Sequence, residues 1–177
     1  MVTTLNGKPV IKMVILLVII VAIGWTIYSA VTKDKQPLLA TGKPAPDFIA
    51  KDLTGKEYRL SELKGKGIIL NFWGTWCKPC REEMPALQEM SGKLKDQGVL
   101  VLAVNNGESE VAVNAFTKQY GLTFPILLDK RLDIAKAYQV DQLPTTYFIK
   151  HDGTLALRVI GPLNVNTILD NAKKIAP

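Results

Sequence analysis

The chain has 177 residues, 47% of them apolar, and a formal net charge of +6 at pH 7. That length accommodates about one domain able to bury a core without covalent help, and the composition excludes a disordered chain. The basic surplus brings no patch of interleaved aromatics, so a nucleic-acid binder is excluded as well.

The first predicted element is a membrane anchor. From Met13 to Thr32 the sequence MVILLVIIVAIGWTIYSAVT carries no charge over twenty positions. As a helix rising about 1.5 Å per residue it spans roughly the 30 Å of a bilayer core. A cleaved signal peptide has a shorter core of about 7–15 residues. Cleavage after Ala30 would also leave bulky Tyr28 where a small residue is required, and no nearby cysteine offers a lipid attachment point. Lys8 and Lys12 precede the run and Lys33 and Lys35 follow it, a thin bias that favours a cytoplasmic tail at residues 1–12 and an exported C-terminal domain. Two of the 22 basic residues and none of the 16 acidic ones precede residue 33, so the exported part carries 20 against 16. That mild surplus fits either solubility or an anionic partner or membrane face, solubility being the simpler reading.

A proline- and glycine-rich tether follows at residues 33–45, and the domain is expected over 46–177. FIAKDLTGKEYRL predicts a β-hairpin around Thr54-Gly55, and Ser61 is the expected cap of a short helical turn. GIILNFW at 67–73 and GVLVLAVN at 98–105 are continuous apolar runs suited to strands covered on both faces. Between them a helix from about Cys77 to Gln97 sets Leu87, Met90 and Leu94 on one face, with Pro85 a point of kinking. A strand–helix–strand unit of this kind pairs in parallel. A helix over SEVAVNAFTKQYG, a strand at FPILLD and a helix over RLDIAKAYQV come next. Two strands around a His151-Asp152-Gly153 turn and a last helix capped by Asn164 or Asn166 complete an α/β fold with a mixed sheet.

Both cysteines lie in NFWGTWCKPCREEMP, residues 71–85. A zinc site would need two further ligands, and the chain has no other cysteine and only His151. Haem attachment needs histidine after the second cysteine, where Arg81 stands. A structural disulfide closing so short a loop would restrain the unfolded chain little. Redox chemistry fits the setting, because a strand ending at Trp73 leads into the start of a helix. Free backbone N–H groups and the positive dipole end there stabilise a thiolate at Cys77, and Lys78 adds a cation. Cys80, one turn inside the helix, is the less exposed cysteine, so Cys77 attacks and Cys80 resolves.

FWGTWCKPC, the preceding hairpin, VNNGES and QLPTTYFI together resemble the TlpA-like, membrane-anchored thiol-disulfide oxidoreductases of the thioredoxin superfamily, over residues 44 to 177. The resemblance implies a thioredoxin fold with an N-terminal β-hairpin extension and a central insertion. It implies that Cys77 and Cys80 are the redox pair and that Pro144 is the cis-proline facing them. Leu143 and Thr145 would flank a backbone contact with the bound partner, and Trp76 would border the cysteines on the substrate side.

Glu83 matches a carboxylate the family places near the cysteines. Helical spacing sets it on the face of Cys80, where partial burial would raise its pKa and let it move protons. Taken without the family, Glu83 is equally a solvated helix residue, as Glu82 and Glu89 are expected to be. Asn71 stands where thioredoxin has a buried aspartate and cannot titrate, which moves the proton-transfer role toward Glu83. Glu108 matches a further family acid tied to the active-site surroundings and partner selection; alone, it reads as a helix-initiating surface acid. Of the intervening pair Lys78-Pro79, the first residue tunes potential and cysteine acidity in the family, and a lysine there favours the thiolate and a more oxidising protein.

The implied activity is reduction of disulfides in exported proteins with no organic cofactor, only the Cys77–Cys80 pair itself. The implied substrate is apocytochrome c, whose C-x-x-C-H must be a dithiol before haem attachment, and the implied electron donor is a CcdA-like membrane protein. The alternatives are an oxidoreductase serving spore or envelope assembly and an oxidant that inserts disulfides. A copper or haem chaperone of the same fold is a different class, although copper sites of that kind want C-x-x-x-C and a distant histidine. A peroxidase shares the hairpin-extended fold but relies on a single peroxidatic cysteine.

Overall fold

The computed structural model describes residues 8–32 and 39–177. The expected tail lies outside the described residues up to position 7, and the expected tether does so over 33–38. Two units result, residues 1–37 and 38–177. In the first, α1 runs Lys8–Thr32, and its described side chains are exposed. Among the described residues no helix is long and apolar enough to cross a membrane, so the anchor expected at 13–32 is not established here.

The second unit opens with a small antiparallel pair, β1 (Ile49–Lys51) and β2 (Glu57–Arg59), the expected hairpin. The Asp52 carboxylate holds its turn by accepting from the backbone N–H groups of Thr54 and Lys56. A single 3-10 turn, Leu60–Leu63, follows. Ser61 does not cap it, contrary to expectation, because it lies inside the turn and directs both its N–H and its hydroxyl to the Asp47 carboxylate. Residues 42–45, expected within the tether, are instead laid along the sheet: the Gly42 and Ala45 N–H groups donate to the carbonyls of Leu155 and Gly153.

The main elements are β3 (Gly67–Trp73), α2 (Lys78–Lys95), β4 (Val99–Asn106), α3 (Glu110–Gln119), β5 (Ile126–Asp129), α4 (Asp133–Ala137), β6 (Thr145–Ile149), β7 (Leu155–Ile160) and α5 (Val165–Ala172). Among the described residues these strands form one sheet of order β5-β4-β3-β6-β7. β3 pairs in parallel with β4 and antiparallel with β6, so the expected mixed sheet is present. The central insertion is the α3–β5 crossover, which adds a parallel edge strand beside β4. α2 continues through Pro85, and Asn164 rather than Asn166 caps α5, accepting from the Thr167 N–H.

Alternation along β3 sorts the core into two layers. Ile69 and Trp73 join Leu87, Met90 and Leu94 of α2 and Ile168 of α5. Ile68, Leu70 and Phe72 face the other way, against Phe48, Leu60, Ile134 and Tyr138. Asn71 shares the parity of Ile69 and Trp73 and therefore points into the α2 layer. A polar side chain at the centre of that layer must find partners there or cost stability.

Candidate active site

β3 ends at Trp73, and after three intervening residues the chain turns into α2 with Cys77 as its cap. Cys77 and Cys80 are joined as a disulfide. The Cys80 N–H donates to Cys77 Sγ at 3.3 Å, so an orphan donor of the helix start already faces the sulfur that would carry charge after reduction. Cys77 is 5% exposed and Cys80 0%, the expected order, although Cys77 is more enclosed than an open surface thiol. Pro79, at the start of α2, fits a position whose N–H has no intrahelical acceptor. Lys78 and Arg81 are exposed, and Trp76, 65% exposed, is a bare aromatic surface beside the buried sulfurs.

Glu83 is 1% exposed on α2, three residues after Cys80. Its Oε1 accepts from Asn71 Nδ2 at 2.8 Å and its Oε2 from the Leu163 backbone N–H at 2.8 Å. Burial outweighs these two donors and pushes its pKa up to about 7. Asn71 Nδ2 also donates to Thr146 Oγ1 at 2.9 Å, its neighbour across the β3–β6 ladder. The remaining Asn71 oxygen and the Trp73 indole N–H have no hydrogen-bond partner among the described residues. Glu82 and Glu89 are exposed, as expected, and Glu89 pairs with Lys93.

Glu108 occupies a different setting, in the loop between β4 and α3. Ser109, not Glu108, caps α3. The Glu108 carboxylate is half-buried and accepts from the Thr75 N–H at 2.7 Å, the Thr75 hydroxyl at 2.5 Å and Asn105 Nδ2 at 2.7 Å. It therefore holds the backbone two residues before Cys77. Gly74 permits this approach: a Cβ there would stand 2.9 Å from the Trp76 indole nitrogen and 3.4 Å from Glu108 Oε2.

The Leu143–Pro144 peptide is cis. Thr145 pairs with Phe72, so Pro144 falls opposite Trp73, at the same sheet edge as the disulfide. Pro144 is buried and its carbonyl accepts from the Gly161 N–H, while Leu143 packs against the layer that contains both cysteines. Thr145 is buried and spends its hydroxyl on the Gln142 carbonyl, so its backbone rather than its side chain is what it offers a partner.

Sequence reasoning had not singled out Thr75, Asn105, Thr146 or Leu163. Thr146 follows Asn71 once the strand register is known. Leu163 is 80 residues from Glu83, and no local pattern announces their bond. His151 lies exposed in the β6–β7 turn, apart from this edge. The arrangement suits thiol-disulfide exchange: a sulfur at a helix start, a buried resolving sulfur and an acid poised near neutrality.

Residues 41–158 match the AhpC/TSA family. The chain is 45% identical over 170 residues to the thiol-disulfide oxidoreductase ResA of Geobacillus kaustophilus, covering 96% of this chain and 97% of that protein. It is 45% identical over 163 residues to the ResA of Bacillus subtilis, covering 92% and 90% respectively. A solved thiol:disulfide interchange protein of the thioredoxin family from Chlorobium tepidum superposes with a TM-score of 0.71 at 25% identity, over 77% of this chain and 97% of that one.

Proposed function

We propose, from the premise that the chain belongs to the AhpC/TSA family and is a thiol-disulfide oxidoreductase of the ResA kind, that it reduces disulfides of exported proteins. Apocytochrome c is the substrate the family resemblance favours, and a CcdA-like membrane protein the electron donor. The observation that carries the chemistry is the redox pair at the start of α2, with the Cys80 N–H on Cys77 Sγ and Cys80 wholly buried.

In the reduced protein the Cys77 thiolate attacks one sulfur of the substrate disulfide, forming a mixed disulfide and expelling the other sulfur as a thiolate. Cys80 must then lose its proton before it attacks Cys77 Sγ. Glu83 is the acceptor, because an acid with a pKa of about 7 is partly ionised at neutral pH and lies on the Cys80 face. Attack by Cys80 closes the Cys77–Cys80 disulfide and releases the second substrate sulfur. Two electrons have passed to the substrate, whose two thiolates take up the two protons. Pro144, Leu143 and Thr145 lend backbone and apolar contact to the partner chain, Trp76 offers it an exposed aromatic surface beside the exchanging sulfurs, and Glu108 fixes the loop through Thr75.

The anchor and the extracytoplasmic, single-pass membrane location belong to this reading. They are supported by the twenty uncharged residues at 13–32, which fall within α1. The test is to express full-length Cys80→Ser, which traps mixed disulfides on Cys77, and to identify the captured proteins. Capture of apocytochrome c is expected. Capture of only spore or envelope proteins would replace the substrate and leave the exchange chemistry standing.

A further inference from the structure

We propose that the end of the domain opposite the disulfide docks on anionic lipid headgroups, so that the membrane surface holds the redox edge facing outward. The inference rests on the reading that residues 13–32 are an anchor, and it adds an orientation to it.

Lys66 immediately precedes β3, Lys95 ends α2 where the chain turns back toward β4, and Lys150 immediately follows β6. The Gly67 N–H donates to the Gly98 carbonyl and the Gly65 N–H to the His151 carbonyl, which ties these termini into one end of the sheet. Lys64 belongs to the same end, since its Cε lies 3.6 Å from where a Gly153 Cβ would be. The seven residues of β3 place the disulfide about 20 Å away.

A groove of about 530 Å³ opens at this end, lined by Lys56, Lys66 and Lys95 together with Tyr58, Ser91 and Gln88, and no aspartate or glutamate lines it. Lys56, Lys64, Lys66, Lys95 and Lys150 are exposed, and none is in an ion pair among the described residues. The acids alongside keep their charge: Asp47 and Glu62 share Arg59, Asp152 is held as the anion by the Thr154 N–H and hydroxyl, and Glu57 and Asp96, next to Lys56 and Lys95, are exposed; the groove is the part of this end that no acid lines. Three lysines on a groove that no acid lines, Lys56 with its ammonium over the Tyr58 ring, leave a positive field in the groove, the pattern that attracts a surface of phosphate headgroups.

The path of the chain argues for the membrane as the source of those phosphates. Residues 42–45 enter along the start of β7, where Leu155 pairs with Ile149, at this same end. The described chain therefore enters the domain at its lysine-rich end, and for a domain tethered to a membrane the headgroups are the nearest dense source of phosphate.

Residues 39–177 hold both apolar layers and every paired strand, so they can be tested without the apolar helix, which would partition into any bilayer. Co-sedimentation with phosphatidylcholine vesicles containing phosphatidylglycerol is compared with pure phosphatidylcholine vesicles. Binding to the anionic vesicles alone is expected. Lys56→Gln, Lys66→Gln and Lys95→Gln combined should weaken it roughly a hundredfold, with insulin-disulfide reduction unchanged. Lys130→Gln with Lys173→Gln, lysines already paired to Glu110 and Asp170, should leave it intact. Equal binding to both vesicles, or a triple variant that binds like the parent, overturns the proposal. Inorganic phosphate at matched ionic strength should release the protein no better than chloride; stronger release would make the groove a free-anion site and overturn membrane docking. Alkaline extraction of full-length protein from membranes tests the anchor separately, so either reading can fail alone.

Discussion

Glu83 and Glu108 both border the loop that carries the disulfide, one on α2 and one beyond β4. Glu83 is 1% exposed with two donors, and burial wins over hydrogen bonding to lift its pKa to about 7. Glu108 is half-buried and its carboxylate takes three donors, two of them from Thr75. The same functional group thus becomes a proton store in one place and a clamp in the other. Solvent access and the number of aligned N–H and O–H groups decide which.

The floor for comparing the two acids is set by Cys77→Ser, which should reduce insulin-disulfide reduction to the uncatalysed rate. Any residual protein-dependent turnover would mean that Cys77 is not the attacking sulfur.

Glu83→Gln is expected to have the next largest effect. General acid–base groups contribute about 10²–10⁴-fold, and the rate near neutrality should fall toward the lower end of that range while the inflection near pH 7 in kcat/KM disappears. The swap is sterically mild, because Asn71 can rotate its amide to present oxygen to the new NH₂ group. Stability should move the other way. Glu83 has a folded pKa raised from 4.5 to about 7, so the fold binds the proton more tightly than the unfolded chain does. That contribution is complete below pH 4.5 and is lost as pH rises through about 7, an upper limit of roughly 3 kcal/mol. Denaturant midpoints across this window should decline in the parent and stay flatter in Glu83→Gln. A variant with an unchanged pH profile would remove Glu83 from the proton path.

Glu108→Ala should act on geometry instead. Losing three charge-assisted bonds costs about 2 kcal/mol of stability, and a looser Thr75 should lower kcat/KM about tenfold while leaving the inflection near pH 7 in place. Thr75→Val, which keeps the backbone bond, should fall between. If Glu108→Ala instead shifted the inflection, the division of labour between the two acids would be wrong.

The smallest effect belongs to Lys78, which is exposed. Lys78→Gln should raise the Cys77 thiol pKa slightly and slow exchange near neutrality by about two- to threefold, a difference that shrinks as salt screens it.

Much of this site is written in short-range pattern. The apolar runs at 67–73 and 98–105, the turn at Thr54-Gly55 and the helical spacing of Leu87, Met90 and Leu94 each depend on neighbours a few residues away, and each element stands where the pattern sets it. Cys77, Cys80 and Glu83 share one helix, so their common face was legible too. What escaped depends on contacts that only the folded sheet creates. Leu163 reaches Glu83, and Glu108 reaches Thr75 from 33 positions away. Ser61 was misplaced by a cap rule that had no knowledge of Asp47, fourteen residues earlier. The laying of residues 42–45 along β7 likewise hides in a stretch whose prolines suggest only a tether.

The direction of electron flow is the central claim, and the equilibrium reduction potential of the Cys77–Cys80 couple tests it most directly. Titration against a dithiothreitol couple should place the protein in the reducing range, close to the about −270 mV of thioredoxin. A value near the about −120 mV of a strong oxidant such as DsbA would contradict the account and make the protein a donor of disulfides.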